Sequence, residues 1–401
     1  MIDISVIIVN YNVKHYIEQC LLSVRAASHD LQVEVFVVDN NSSDGSIEYL
    51  KPRFPEVQFI VNPDNRGFSK ANNQAIRQAS GEFILLLNPD TIVTEHTFHD
   101  CLNFLNRHPE VGATGVSMYS HTGQFAWESR RGVPTPWVSF CKMVGLTALF
   151  PHSRRYGRYY MRYLNRTESN YIEIISGAFC MVRRKALDKV GLLDETFFMY
   201  GEDIDLSYRL LKGGWQNAYV PTPILHYKGE STQKSSYRYV HIFYEAMLIF
   251  FNKHFRRRYR VVSHIIRIAV YLRAAIDMLQ RTGKKIGKHL SFLFKWMDEK
   301  EPPEHCLCIG SAESLEAMKD ICQRNNLIGT FVEGSQQTLP MGHVGSDDVK
   351  GQLYVVYDLS SYSYYEVLSR LINGCAMGDT VALGTFNPQT GLMILPNDVF
   401  R

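Results

Sequence analysis

Short β-branched runs alternate with helically spaced apolar residues along the amino-terminal quarter of this chain, and each run ends in a polar cluster. Residues 4–9 read as a strand, followed by Asn10-Tyr11-Asn12. Ile17, Cys20, Leu21 and Val24 then recur at helical spacing, with Asn12 the expected cap. Residues 33–38 form the second run and lead into the turn-rich stretch 39–45. Residues 57–61 form a third, 69–79 a helix, and 83–87 a continuous apolar strand ending in Asn88-Pro89-Asp90. Such alternation specifies an α/β fold, a mostly parallel sheet flanked by helices. In open sheets of this kind ligands bind beyond the carboxyl ends of the strands. All three polar clusters fall there.

Composition narrows the remaining options. At 401 residues the chain has room for two or three domains, and its net charge of +3 decides nothing about partners. Eight cysteines occur with no C-x-x-C pair, so neither a zinc site nor a redox dithiol is indicated. The first residues lack a basic stretch ahead of their apolar run and read as a strand, not a signal peptide. No apolar stretch is uninterrupted for the ~18–20 residues a membrane span needs. A cytoplasmic setting follows, with peripheral contact to the inner face of the cytoplasmic membrane as its extension.

Further along, residues 171–182 read as a strand and EDIDLSYRLLKGGW, from Glu202, as a helix with acids in its first turn. Residues 218–227 read as an edge or irregular strand, because they carry two prolines. Residues 253–289 are basic and helical, with Asp277 their one acid, and 299–303 reads as a linker. Strand and helix alternate again from 305 to the end, where Cys306-x-Cys308 reads as alternate positions of a strand. The expected domains are 1–250, a basic helical segment 251–300, and a small Rossmann-like α/β domain 301–401 serving docking or homo-oligomerisation.

Seven segments occur in order over residues 1 to about 235: SVIIVNYN, VFVVDNNSSDGS, NPDNRGFSKANNQAI, FILLLNPDT, ISGAFCMVRR, GLLDETFFMYGEDIDLSYRL and ILHYKGES. Together they resemble family 2 glycosyltransferases of the GT-A fold, in particular the rhamnosyltransferase-like branch. The resemblance implies inverting transfer of rhamnose or another hexose from a nucleotide-sugar donor, with a divalent metal ion (Mg or Mn), in cell-surface polysaccharide synthesis. Asp39 matches the aspartate that reads the nucleobase beside Val9, Asn10 and Tyr11, a role suited to a carboxylate accepting from a ring N–H. Asn65, Gly67, Phe68 and Asn72 match a loop lining the nucleotide-sugar. Asp90 matches the last aspartate of a D-x-D metal motif whose first position is here Asn88, an amide able to bind ribose. One carboxylate suffices for a cation that phosphate and water also ligate. His226 matches a histidine completing the metal site. Glu202 and Asp203 match a catalytic pair in which Asp203 is the favoured general base, and Asp205 reads as structural. Lys228 and Ser231 are candidates to close over the diphosphate.

Each assignment has a plainer alternative. Asp39 could be a turn aspartate, Glu202 and Asp203 favourable acids at a helix start, and His226 a hydrogen-bonded side chain. Between Glu128 and Glu168 there is no acid, while Arg130, Arg131, Lys142, Arg154, Arg155, Arg158, Arg162 and Arg166 interleave with tyrosines. That segment reads as a solvated surface, a nucleic-acid groove, or a platform for a saccharide acceptor on polyprenyl diphosphate. The fold disfavours nucleic acid. The basic segment 253–289 suits an anionic membrane surface or a packed helix with a charged outer face. The rival functions are an inactive scaffold of the same fold and a nucleotidyltransferase. The second lacks its glycine-rich loop, since VNYNVKHY follows the first strand.

Overall fold

The computed structural model describes residues 2–227, 237–256, 304–339, 353–378 and 381–401. Lys228, Ser231, most of the basic segment and the 299–303 linker lie outside them. Among the described residues two sheets are present, one of nine strands and one of six.

The larger sheet is built on β1 (Ile4–Asn10) and β4 (Phe83–Leu87), whose residues are all buried. Parallel strands covered on both faces require such unbroken apolar runs. β2 (Val33–Asp39) flanks β1, and β3 (Gln58–Val61) forms the edge beyond it, all in parallel. On the other side follow β8 (Phe179–Arg183), β6 (Val111–Tyr119), β9 (Gln216–His226) and β5 (Thr91–Val93), with β7 (Asn170–Ile172) also paired to β9. Helices α1 (Lys14–Ala27), α2 (Ser46–Leu50), α3 (Phe68–Ile76), α4 (Thr97–Arg107), α5 (Pro136–Met143), α6 (Leu146–Leu149), α7 (Arg184–Val190) and α8 (Glu202–Lys212) surround it. Helix α9 (Tyr237–His254) packs against α8 through Phe250, Phe251 and Phe255 in a separate apolar cluster.

Three expectations need correction. Asn12 does not cap α1: its backbone sits at φ +55° and its Oδ1 accepts from the Ser43 amide. Asp44 reaches across to accept from the Lys14 amide instead. Residues 171–182 form two strands, because the 173–178 stretch turns aside to meet α8. β9 is internal to the sheet, not an edge, while the irregularity expected of it is present. Its prolines are accommodated by a bulge, since Val116 faces Val220 but Ser117 faces Pro223, leaving Pro221 and Thr222 out of register.

The smaller sheet orders β11 (Ile328–Glu333), β10 (His305–Gly310), β12 (Leu353–Asp358), β13 (Val381–Asn387), β14 (Leu392–Ile394) and β15 (Val399–Phe400), the first four parallel. Helices α10 (Ala312–Arg324) and α11 (Tyr364–Met377) complete it. It docks on the larger unit through one shared apolar cluster, where Tyr16, Ile92, Leu225 and Tyr227 meet Leu307, Val355, Leu368 and Ile394. Ser363 and Glu366 form the capping box of α11, and Glu95 adds to it across the junction, accepting from the Tyr364 and Tyr365 amides at 2.9 Å each. No helix among the described residues is long and apolar enough to cross a membrane.

Candidate active site

Strand register assembles the site's first corner. β1 and β2 pair with Asn10 opposite Asp39, so the Asn10 amide donates to Asp39 Oδ1 at 2.7 Å and to Ser42 Oγ at 3.1 Å. The Ser42 amide donates to Asp39 Oδ2 at 2.9 Å. Asp39 is therefore fixed at a strand end and nearly buried, whereas the turn and α2 start are held by Asp44. Val9 is buried beside it and Tyr11 is partly exposed.

The 65–72 stretch borders this corner. Asn65 Oδ1 accepts from the Gly67 amide at 3.0 Å, and the Asn40 side chain donates to the Gly67 carbonyl at 3.2 Å. Gly67 has φ +81°, and a Cβ there would lie 2.6 Å from the Phe198 carbonyl oxygen. The Phe68 amide donates to that oxygen at 2.7 Å, tying the loop to the turn ahead of α8. Asn72 is fully buried and donates to the Phe68 carbonyl at 2.9 Å, while its own Oδ1 has no hydrogen-bond partner.

A second pairing builds the next corner. β5 and β9 run antiparallel with Thr91 opposite His226, which brings His226 Nε2 to 3.3 Å from Asp90 Oδ1. The same nitrogen lies 3.4 Å from Asn88 Nδ2. One proton placement on Nε2 serves Asp90, the other serves Asn88. Among the described residues no group of three or more His, Cys, Asp or Glu side chains gathers as a metal centre. A carboxylate and an imidazole side by side nonetheless fit a cation that draws its other ligands from phosphate and water.

The third corner opens α8. Gly201 at φ +82° precedes Glu202 and Asp203, whose position at a helix start favours negative charge. Arg131 Nη2 donates to Asp203 Oδ2 at 2.5 Å, and the Gly177 amide donates to the same oxygen at 3.2 Å. Burial opposes the charge of Arg131, but Asp203 outweighs it and raises the guanidinium's pKa above its ordinary value. Burial and the neighbouring Asp203 charge push the Glu202 carboxyl up to about 8, and its Oε2 has no hydrogen-bond partner. Burial thus favours the protonated form of Glu202 beside an ion-paired Asp203. Asp205 faces away, buried against Arg209, Lys253 and His254.

The corners are joined by backbone. The Asn88 amide donates to the Ala178 carbonyl at 3.0 Å, and Gly177, one residue earlier, binds Asp203. Asn10, Asp39 and Asn88–Asp90 all end strands adjacent in the sheet. Sequence reasoning missed Arg131, which it grouped with surface cations. It also missed that Arg130 is fully buried, donating to the Leu164 and Asn165 carbonyls. Nothing local distinguishes these two arginines from the others in the segment.

Residues 5–191 match the model of the family described as Glycosyl transferase family 2. The chain is 29% identical over 259 residues to N-acetylglucosaminyl-diphospho-decaprenol L-rhamnosyltransferase of Mycobacterium tuberculosis, covering 62% of this chain and 83% of that protein. Among solved structures, S. aureus TarS 1-349 aligns with TM-score 0.40 and 19% identity over 62% of this chain; the match spans 64% of that chain, under two thirds of it. A mannosyltransferase from Pyrobaculum calidifontis, solved with GDP-Man and Mn2+, aligns with TM-score 0.42 and 18% identity over 71% of this chain and 79% of its own. Residues 5–191 thus belong to glycosyl transferase family 2, and the protein is an enzyme of that class.

Proposed function

We propose that this enzyme transfers a hexose, rhamnose as the branch-level choice, from a nucleotide-diphosphate donor to a hydroxyl of a lipid-linked saccharide, with inversion. The observation that carries the reading is that Asn10–Asp39 and Asn88–Asp90 end neighbouring strands of one sheet, while the Asn88 amide binds the Ala178 carbonyl beside Gly177, which binds Asp203. Such strand ends are where open α/β sheets hold ligands. The decaprenol-linked acceptor named for the mycobacterial relative supports the acceptor class.

Asp39 would accept from a base N–H, with Asn10 and Ser42 fixing its carboxylate and Tyr11 offering a ring at the mouth. Asn65, Gly67, Phe68 and Asn72 would line the donor, and the glycine lets that loop close against Phe198. Asp90 and His226 would hold the divalent ion, which when bound neutralises charge on the departing diphosphate. Asn88 would reach the ribose. Asp203 would take the acceptor proton as its oxygen attacks the anomeric carbon. Its ion pair with Arg131 fixes its orientation, whereas burial and the Asp203 charge raise the Glu202 carboxyl and leave its Oε2 without a hydrogen-bond partner. Residues 1–250 would form the catalytic domain and 301–401 an accessory one.

Changing Asp203→Asn should lower transfer by ~100–10,000-fold while calorimetry still registers donor binding. Near-normal turnover by that variant would exclude Asp203 as the base. Asp90→Asn should instead abolish the manganese dependence of donor binding, and retention of that dependence would move the cation elsewhere.

A further inference from the structure

Helices α5 and α6 do not bury all their apolar side chains. Val138, Cys141 and Thr147 turn inward, while Trp137, Phe140 and Val144 recur at helical spacing and are 44%, 46% and 49% exposed. Met143 at 47%, Leu149 at 71% and Phe150 at 51% widen the same patch. Half of all the exposed large hydrophobics among the described residues fall in this one stretch. Scattered exposed leucines need no explanation, but a contiguous patch does.

Its rim is cationic. Lys142, Arg154 and Arg155 are exposed, and the Arg155 guanidinium lies 5.8 Å from the Trp137 ring centroid. No acid occurs between Glu128 and Glu168. Among the described residues, the carboxylates that pair with arginines of the segment are Asp203, with Arg131, and Glu173, with Arg158. An apolar centre ringed by unneutralised cations matches the acyl boundary and phosphate layer of an anionic bilayer.

We infer that the α5–α6 hairpin seats the enzyme in the headgroup layer of an anionic membrane. The stretch leading into α5 carries Arg131, the partner of Asp203, and Gly132 donates its amide to the Tyr159 carbonyl at 3.2 Å. The seat is therefore attached directly to the candidate base. The purpose of this seat rests on the lipid-linked acceptor proposed above; its existence does not.

The test uses the full chain with vesicles of phosphatidylcholine alone or with about one third phosphatidylglycerol. The enzyme should sediment with the anionic vesicles, and brominated acyl chains should quench Trp137 fluorescence. Trp137→Phe should remove that quenching while binding persists. A Phe140→Ser/Leu149→Ser double variant should lower partitioning by about tenfold or more and leave transfer to a short-chain, water-soluble acceptor unchanged. Undiminished vesicle binding by the double variant would overturn the inference, placing the contact elsewhere in the chain. So would a wild-type dimer that this variant dissolves, since the patch would then be a self-association face. An equal fall in transfer to the soluble acceptor would make it part of the active site. If no acceptor is glycosylated at all but vesicle binding and quenching behave as stated, the functional reading fails and the membrane seat stands.

Discussion

Glu202 and Asp203 are neighbours in sequence, yet burial gives them different protonation states. With its folded pKa raised to about 8 by burial and by Asp203, Glu202 binds a proton in the folded state that the unfolded chain releases above its ordinary carboxylate range. Its contribution is therefore intact below that range and is lost as pH rises toward 8, by up to a few kcal/mol. Glu202→Gln should flatten the fall in Tm between mildly acidic and mildly basic pH; a profile as steep as the wild type would place the titration on another group. Gly67→Ala should destabilise the nucleotide-side loop, since its Cβ would press on the Phe198 carbonyl oxygen and φ +81° disfavours a side chain. Reduced donor affinity with little change in turnover at saturation is the expected kinetic result. Asp39, Asp90 and Asp203 were legible in the sequence because strand ends and motif order mark them. Arg131 was not, because its partner is more than seventy positions away and an arginine beside other arginines carries no sign of burial.

Whole elements were read more securely than their ends. The apolar runs of β1, β4 and β12 and the helical spacing of α1 and α11 mark themselves. The β9 prolines suggested an edge or irregular strand because proline cannot donate to a ladder; the irregular form holds, as a bulge set by β6, far off in sequence. The seating of α9 on α8 was equally hidden. Burial works against the Asp205 charge, but His254, Lys253 and Arg209 outweigh it and hold the carboxyl well below its usual range. That stabilisation is present above the unfolded carboxylate range and disappears as pH falls through the folded value. Asp205→Ala leaves Lys253, Arg209 and His254 without their shared buried partner, so a loss of about 3–5 kcal/mol is expected in denaturant unfolding. A loss within the range of ordinary surface changes would show that the aromatic cluster alone seats α9.

At the scale of the whole molecule, the two sheets behave as one packed body at their junction. Gln19 donates to Thr385 across it at 2.5 Å, Tyr16 donates to the Pro396 carbonyl at 3.1 Å, and Glu95 accepts from the Tyr364 and Tyr365 amides at the start of α11. Replacing Glu95 and Gln19 together by alanine should split a single calorimetric unfolding peak into two; one undivided peak would mean that the apolar cluster suffices to couple them. β5, which follows Asp90, and β9, which ends at His226, turn Ile92 and Leu225 toward the second unit in the shared cluster. A gene shortened after the first unit would consequently yield polypeptide with a sticky back, and precipitation in such a preparation could be mistaken for a missing catalytic group.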